Sequence, residues 1–247
     1  MEIYILKIVV LSILEDNFCY LVINKNKTLI IDPGEAEPIL KYIKNESIDA
    51  LQIFITHSHS DHTGGCLELQ KKLGVVSRSP SVNEEQIEIL DTTCSIISTP
   101  GHTQIHKSFY FPELGIIFTG DALINGACGR ILGGTANQLF KSLEKISKLP
   151  ASVKIFGGHD YLEENLRFSL NENSGCKSTI LRINILRKKF PRANQTGCAL
   201  ITWALSQEKE TKEKILLEVI ENHSDCYFSD GVSVGAYSRL YLALHYR

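Results

Sequence analysis

The segment Thr56 to Gly65, THSHSDHTGG, places three histidines and an aspartate within six positions, directly after the apolar run Leu51 to Ile55, LQIFI. A short apolar run of this kind reads as a buried strand, so the chain must deliver four polar side chains to the end of a core element. Protonated imidazoles there would repel one another. Neutral imidazoles and a carboxylate are instead good ligands for Zn²⁺ or a similar ion, whose binding displaces the protons. Taken singly, each residue has a plainer reading, since a lone histidine is more often hydrogen-bonded and an aspartate before a helix is more often its N-cap. Four together point to a metal. His57 and His59 at i and i+2 face the same way if strand geometry continues past Ile55, and Asp61 and His62 follow as the chain turns. Each ion takes about three or four protein ligands with a position left for water, so four local ligands fall short of two sites and others must come from elsewhere.

Candidates stand at the ends of further predicted strands. His102 lies in TPGHT after CSIIST (94–99), Asp121 in FTGDAL after GIIFT (115–119), and His159 in FGGHDY after VKIF (153–156). Each sits where a strand opens into a glycine-containing turn, the place where a rigid element and an accessible loop meet and where α/β domains carry function. Other strands are expected at 3–14, 18–23, 28–32 and 108–111. Helices are expected at 38–46, with Pro38 at its start, and at 67–73, 136–148 and 161–170. The irregular alternation predicts a layered α/β (α+β) domain over 1–165. Beyond it, polar NENSG (171–175) leads into helical patterns at 177–190 and 207–221, which predicts a smaller, mostly helical C-terminal domain over 166–247. The closing DGVSVGAYSRLYLALHYR fits helix or strand equally.

At 43% hydrophobic and 22% charged, the 247 residues have ordinary globular usage. A net charge of −2 gives no general attraction to phosphate backbones or anionic lipid, so neither nucleic acid nor a membrane is the expected partner. Seven cysteines, odd in number and without a C-x-x-C pair, fit reduced thiols in the cytoplasm. The run at 3–14 carries Glu2 before it and Lys7 within it, which suits a strand rather than a signal peptide.

THSHSDH with TPGHT, FTGDAL and GGHDY resembles the metallo-β-lactamase superfamily, and within it the glyoxalase II family. LEDNFCYLV, IIDPG, ACGRILGGTANQLFKSL and HDYLEENLRF resemble stretches of that family in order and spacing, over roughly the first two-thirds of the chain. The resemblance implies a four-layer αβ/βα sandwich with two divalent metal ions, zinc being the first expectation and iron or manganese the alternatives. It implies that His57, His59 and His102 hold one ion, that Asp61, His62 and His159 hold the other, and that Asp121 bridges both. The implied activity is hydrolysis of a small-molecule glutathione thioester, S-(2-hydroxyacyl)glutathione such as S-D-lactoylglutathione, to glutathione and a 2-hydroxy acid, in methylglyoxal detoxification. A metal-bridging hydroxide would attack, with Asp121 and Asp61 as the catalytic carboxylates and Arg130 and Tyr161 as substrate contacts.

The chain departs from the family at two places. Leu132 stands where a glutathione-binding tyrosine is expected, and the closing NPFLR-like segment is absent. Lys212, Lys214 and Arg239 are basic candidates for its role, each of which also reads as a solvated charge. Hydrolysis of another thioester is thus an open alternative, and so is a persulfide dioxygenase with one iron. His106 reads as a residue supporting the ligands, His223 and His245 as surface residues, Cys66 and Cys128 as buried packing, and Gly64, Gly65, Gly133 and Gly134 as tight-turn residues.

Overall fold

The computed structural model describes residues 6–79, 86–124 and 128–161, together with the backbone of Val232–Ser233. One sheet runs in the order β1 (Lys7–Ile13), β2 (Asn17–Asn24), β3 (Lys27–Ile31), β4 (Asp49–Phe54), β5 (Ser77–Arg78). The other runs β11 (Val232–Ser233), β10 (Lys154–Gly157), β9 (Ile116–Gly120), β8 (Lys107–Phe111), β7 (Thr92–Ser98), β6 (Gln86–Ile89).

Alternation along the strands builds the layers. In β2, NFCYLVIN, every residue is buried. Phe18, Tyr20 and Val22 enter the core between the sheets, where they meet Phe109, Phe118 and Phe156 of the second sheet. Cys19, Leu21 and Ile23 point the other way, onto the outer core that holds Ile39, Ile43 and Leu69. A strand covered on both faces needs such a continuous apolar run. Ile39 and Ile43 belong to α1 (Glu37–Glu46), which has proline in its first turn and left-handed Ser47 at its C-cap; Leu69 belongs to α3 (Cys66–Leu73). In the second sheet Ile117 and Ile155 face outward and pack on Leu139, Leu143 and Ile146 of α4 (Ala136–Ser147). That helix begins at a capping box, in which the Thr135 hydroxyl accepts from the Gln138 backbone and the Gln138 side chain accepts from the Thr135 backbone. Truncating Leu143 to alanine would cost about 2–5 kcal/mol. The layers are thus helices, sheet, sheet, helix, the expected αβ/βα sandwich.

Two parallel pairings decide where the loops emerge. β3 pairs with β4 and β9 with β10, so their C-terminal ends open at one edge. Ligand sites in α/β proteins sit beyond strand C-termini for this reason. Backbone bonds close the seam between sheets there: Phe18 N–H donates to Gly158 O (2.9 Å) and Lys107 N–H to Thr56 O (3.0 Å), while the buried Tyr20 hydroxyl donates to the Gly157 carbonyl.

The expected strands and helices within the described residues are all present. The two-residue β5 and the four-residue β6, at sheet edges, carry too little apolar periodicity to stand out in the sequence. The helices expected at 161–170, 177–190 and 207–221, and the basic and histidine candidates Lys212, Lys214, His223, Arg239 and His245, lie outside the described residues. Of the final stretch, Val232–Ser233 pairs antiparallel with β10. No helix among the described residues is long and apolar enough to cross a membrane.

Candidate metal centre

β4 ends at Phe54, so His57 and His59 leave a loop rather than a continuing strand. They converge through different atoms: His57 Nε2 and His59 Nδ1 are 3.0 Å apart, and His102 Nε2 lies 3.0 Å from the same His59 Nδ1. Two imidazole nitrogens on one tetrahedral ion would be separated by about 3.3 Å, given metal–nitrogen bonds of about 2.0–2.1 Å. His57, His59 and His102 therefore offer one face of a coordination shell.

Asp61 and His62 follow on the short helix α2 (Ser60–Thr63) and meet His159 from the loop after β10. Asp61 Oδ2 lies 3.2 Å from His159 Nε2 and 3.5 Å from His62 Nε2. Asp121, on the turn after β9, stands between the two groups, with Oδ1 3.4 Å from His62 Nε2 and Oδ2 3.4 Å from His102 Nε2 and 3.2 Å from His159 Nε2. All seven sequence-predicted donors are thus brought together, in overlapping sets whose ligand atoms lie within 4.8 Å of one another.

The imidazoles are held by atoms behind them. Asp32 accepts from the Thr56 backbone and hydroxyl and from His62 Nδ1 (2.7, 2.6 and 3.1 Å). Because the Thr56 hydroxyl donates to Asp32, it accepts from His57 Nδ1 at 3.1 Å. His102 Nδ1 donates to the Arg130 carbonyl (2.6 Å) and His159 Nδ1 to Asp16 (2.9 Å). Each of these rings spends its Nδ1 proton outward and presents Nε2 inward, which fixes tautomer and direction as metal-binding histidines require. Asp16, Asn17, Asp32 and Thr56 were not among the sequence candidates, although LEDNF and IIDPG contain three of them.

The electrostatics favour cations. Burial, with charged His62 nearby, pushes His57 down to about 3. Burial also opposes charge on His62 and His159, yet the carboxylates around them, Asp121 foremost, outweigh it and push both up to about 10. Asp121 itself, despite burial, is held well below the usual carboxylate range by His159 and His62. His159 and Asn17 lower Asp61 similarly. Even so, His62 Nε2 and Asp121 Oδ1 are buried without a directed hydrogen bond. Orphaned buried polar atoms are costly, and a metal ion answers both. The donor set fits a pair of divalent ions.

Glycines leave room for it. A Cβ at Gly158 would lie 2.3 Å from Asp121 Oδ1, and one at Gly129 would lie 2.9 Å from His102 Nδ1. Gly64 and Gly65 form the turn between α2 and α3, as expected. Both have right-handed helical backbone, and what they permit is close approach: a Cβ would lie 2.5 Å from Gly34 O at the first and 2.6 Å from the Glu35 carbonyl carbon at the second. Gly133, at φ +113°, and Gly134 lie together in a bend, where Gly134 also abuts Gly101.

His106 is fully buried behind the cage. Its Nε2 accepts from the Asp121 backbone N–H (3.2 Å), its Nδ1 pairs with the Thr99 hydroxyl (2.9 Å), and its ring stacks on His57. Cys66 packs in the outer core and Cys128 beside α4, away from the donors. Tyr161 stacks on His159, and burial raises its phenol to about 12 while the Arg130 charge acts against this. Ile131 and Leu132 are both about half exposed, on a loop whose Leu132 N–H donates to the His102 carbonyl (2.7 Å).

The metallo-β-lactamase superfamily model matches residues 14–88 and 80–159, the span that carries all seven donors. A hydroxyacylglutathione hydrolase of Pelagibacter ubique (strain HTCC1062) is 33% identical over 202 residues, covering 76% of this chain and 84% of that protein. One from Nostoc punctiforme is 31% identical over 252 residues, covering 94% and 96%. Among solved structures, TTHA1623 in a di-iron-bound form has a TM-score of 0.53 at 28% identity, covering 62% of this chain and 91% of that one. The chain belongs to the metallo-β-lactamase superfamily and, within it, to the family of hydroxyacylglutathione hydrolases, the glyoxalase II enzymes.

Proposed function

We propose that the protein is a cytoplasmic thioester hydrolase that converts S-(2-hydroxyacyl)glutathione, with S-D-lactoylglutathione as the type substrate, to glutathione and a 2-hydroxy acid. The observation that carries this reading is the cage itself: two donor groups sharing the Asp121 carboxylate, with two buried inward-facing polar atoms lacking a hydrogen bond, in a chain whose relatives carry that hydrolase name. His57, His59 and His102 would hold one ion, Asp61, His62 and His159 the other, and Asp121 both; zinc is the ion the imidazole-rich set suits first, with iron or manganese also accepted. Such a pair, when bound, supplies hydroxide near neutrality and stabilises the oxyanion that forms at an attacked carbonyl.

The protein's own groups do the rest. Asp121 and Asp61 stay ionised and can accept a hydrogen bond from the attacking water, orienting it toward the acyl carbon. A thiolate leaves readily without a strong general acid, so the cage needs none. Tyr161, its phenol held protonated, can donate to the substrate beside His159, and the exposed Arg130 guanidinium offers charge to a glutathione carboxylate. The four described cysteines are free thiols, which suits a reducing compartment. The test is hydrolysis of S-D-lactoylglutathione beside other acyl thioesters, using metal-quantified enzyme. Asp121→Ala should lower kcat by about 10²-fold or more; undiminished turnover in that variant, or no thioester cleaved by the loaded wild type, would end the proposal.

A further inference from the structure

The turn between β1 and β2 lies 142 residues from His159 in the chain, yet it and the first residues of β2 are bound to the loop that carries His159 by four separate contacts. Asp16 Oδ1 accepts from His159 Nδ1 at 2.9 Å, and the Asp16 carbonyl accepts from the Asp160 backbone at 2.8 Å. Phe18 N–H donates to Gly158 O at 2.9 Å, and these two backbone bonds together make the antiparallel bridge between Asn17 and His159. The Asn17 amide, buried, reaches inward: Nδ2 donates to Asp61 Oδ2 at 2.9 Å and lies 3.3 Å from His159 Nε2. The turn is itself anchored, since Leu14 N–H donates to Glu35 at 2.8 Å.

These contacts fall on one half of the cage only. Behind His57 and His102 stand Thr56 and the Arg130 carbonyl; no hydrogen bond from the 14–17 turn to His57, His59 or His102 occurs among the described residues. Asp32 serves both halves, through His62 directly and through Thr56 behind His57, whereas the 14–17 turn serves only one. We propose that Asp16 and Asn17 are positioning residues for the Asp61–His62–His159 half alone, so that the N-terminal turn sets the affinity of one ion independently of the other. Asp16 fixes the imidazole direction by taking the Nδ1 proton. Asn17 directs the Asp61 carboxylate by occupying Oδ2, which leaves its remaining lone pairs for a cation. Supports of this type change metal affinity by about 10–100-fold.

The inference rests on the metal-cage reading above, and metal titration of the full chain separates the two. The metal-free protein is titrated with Zn²⁺ against a competing chelator, and with Co²⁺ read by its visible absorption. Wild type should bind two equivalents. In the Asp16→Ala/Asn17→Ala double variant one equivalent should keep wild-type affinity and the second should weaken about 10–100-fold, with circular dichroism showing intact folding. Asp16→Asn keeps an acceptor for His159 Nδ1 and should restore most of the lost affinity relative to Asp16→Ala. Two ions bound with wild-type affinity in the double variant, or equal weakening of both, would overturn the half-selective role. Wild type that binds fewer than two equivalents would overturn the cage reading, and this inference with it.

Discussion

Gly158→Ala adds one methyl group to the protein and changes no metal donor. Gly158 is not among the glycines with left-handed backbone, so alanine brings no conformational strain of its own. The new Cβ would nevertheless lie 2.3 Å from Asp121 Oδ1 and 2.7 Å from His62 Cε1, where ordinary contact begins at 3.4 Å. Relief requires one of these groups to move by about 1 Å, a displacement that in an active site costs about 10²-fold in rate. Overpacking of this kind costs about 1–3 kcal/mol, or about 2–12 °C in melting temperature for a chain of this size. The matched control is Gly157→Ala, whose Cβ would press on the Ile124 Cα and the Leu123 carbonyl at 3.0 Å, away from the cage. It should lose less stability, since its contacts need only a small shift, and keep both ions. Metal content, thioester hydrolysis and thermal unfolding of the two variants decide the matter. Gly158→Ala with two ions and wild-type kcat would show that the space beside Asp121 is not where the chemistry happens.

The metal-free protein should take up protons where the loaded one holds ions. His62 and His159 are raised from 6.5 to about 10, so their stabilising contribution is complete below pH 6.5 and is lost as the pH climbs toward 10. Chelated protein should therefore lose thermal stability across that window while the loaded protein does not, and loading near neutrality should release protons, detectable as a buffer-dependent binding enthalpy; no buffer dependence would contradict the raised histidines. His106→Ala leaves the Asp121 backbone N–H unsatisfied in a fully buried site, which should cost about 1–3 kcal/mol, visible as a lower denaturant midpoint at unchanged slope. Arg130→Ala keeps the carbonyl that holds His102 and removes only the exposed guanidinium, so KM for a glutathione thioester should rise several-fold with kcat nearly unchanged; an equal fall in kcat would place Arg130 in the transition state instead.

The seven candidate donors were legible in the sequence because each follows an apolar run that reads as a strand, and glycine marks the turn in every case but the 57–62 cluster. The αβ/βα layering of the described residues was legible through the same alternation. The supporting groups were not. Asp32 matters because β3 and β4 pair in parallel, which sets its carboxylate beside Thr56; nothing local in IIDPG says which strand will lie alongside. Asp16 and Asn17 depend on contacts with a loop more than 140 residues away. Gly64 and Gly65 were legible as turn residues, but their close approach to Gly34 and Glu35 was not, because tight packing between segments leaves no mark on local backbone preference. A capping box at Thr135 to Gln138 was a readable signal for the start of α4.

The four residues at 57–62 come from the first sheet, and His102, Asp121 and His159 come from the second. An ion captured by the HSHSDH segment of a chain still emerging would find only part of its shell, with water filling the remainder. Tight loading would wait until the two sheets have docked, which would make uptake of metal the closing event of folding and each ion a rivet across the join.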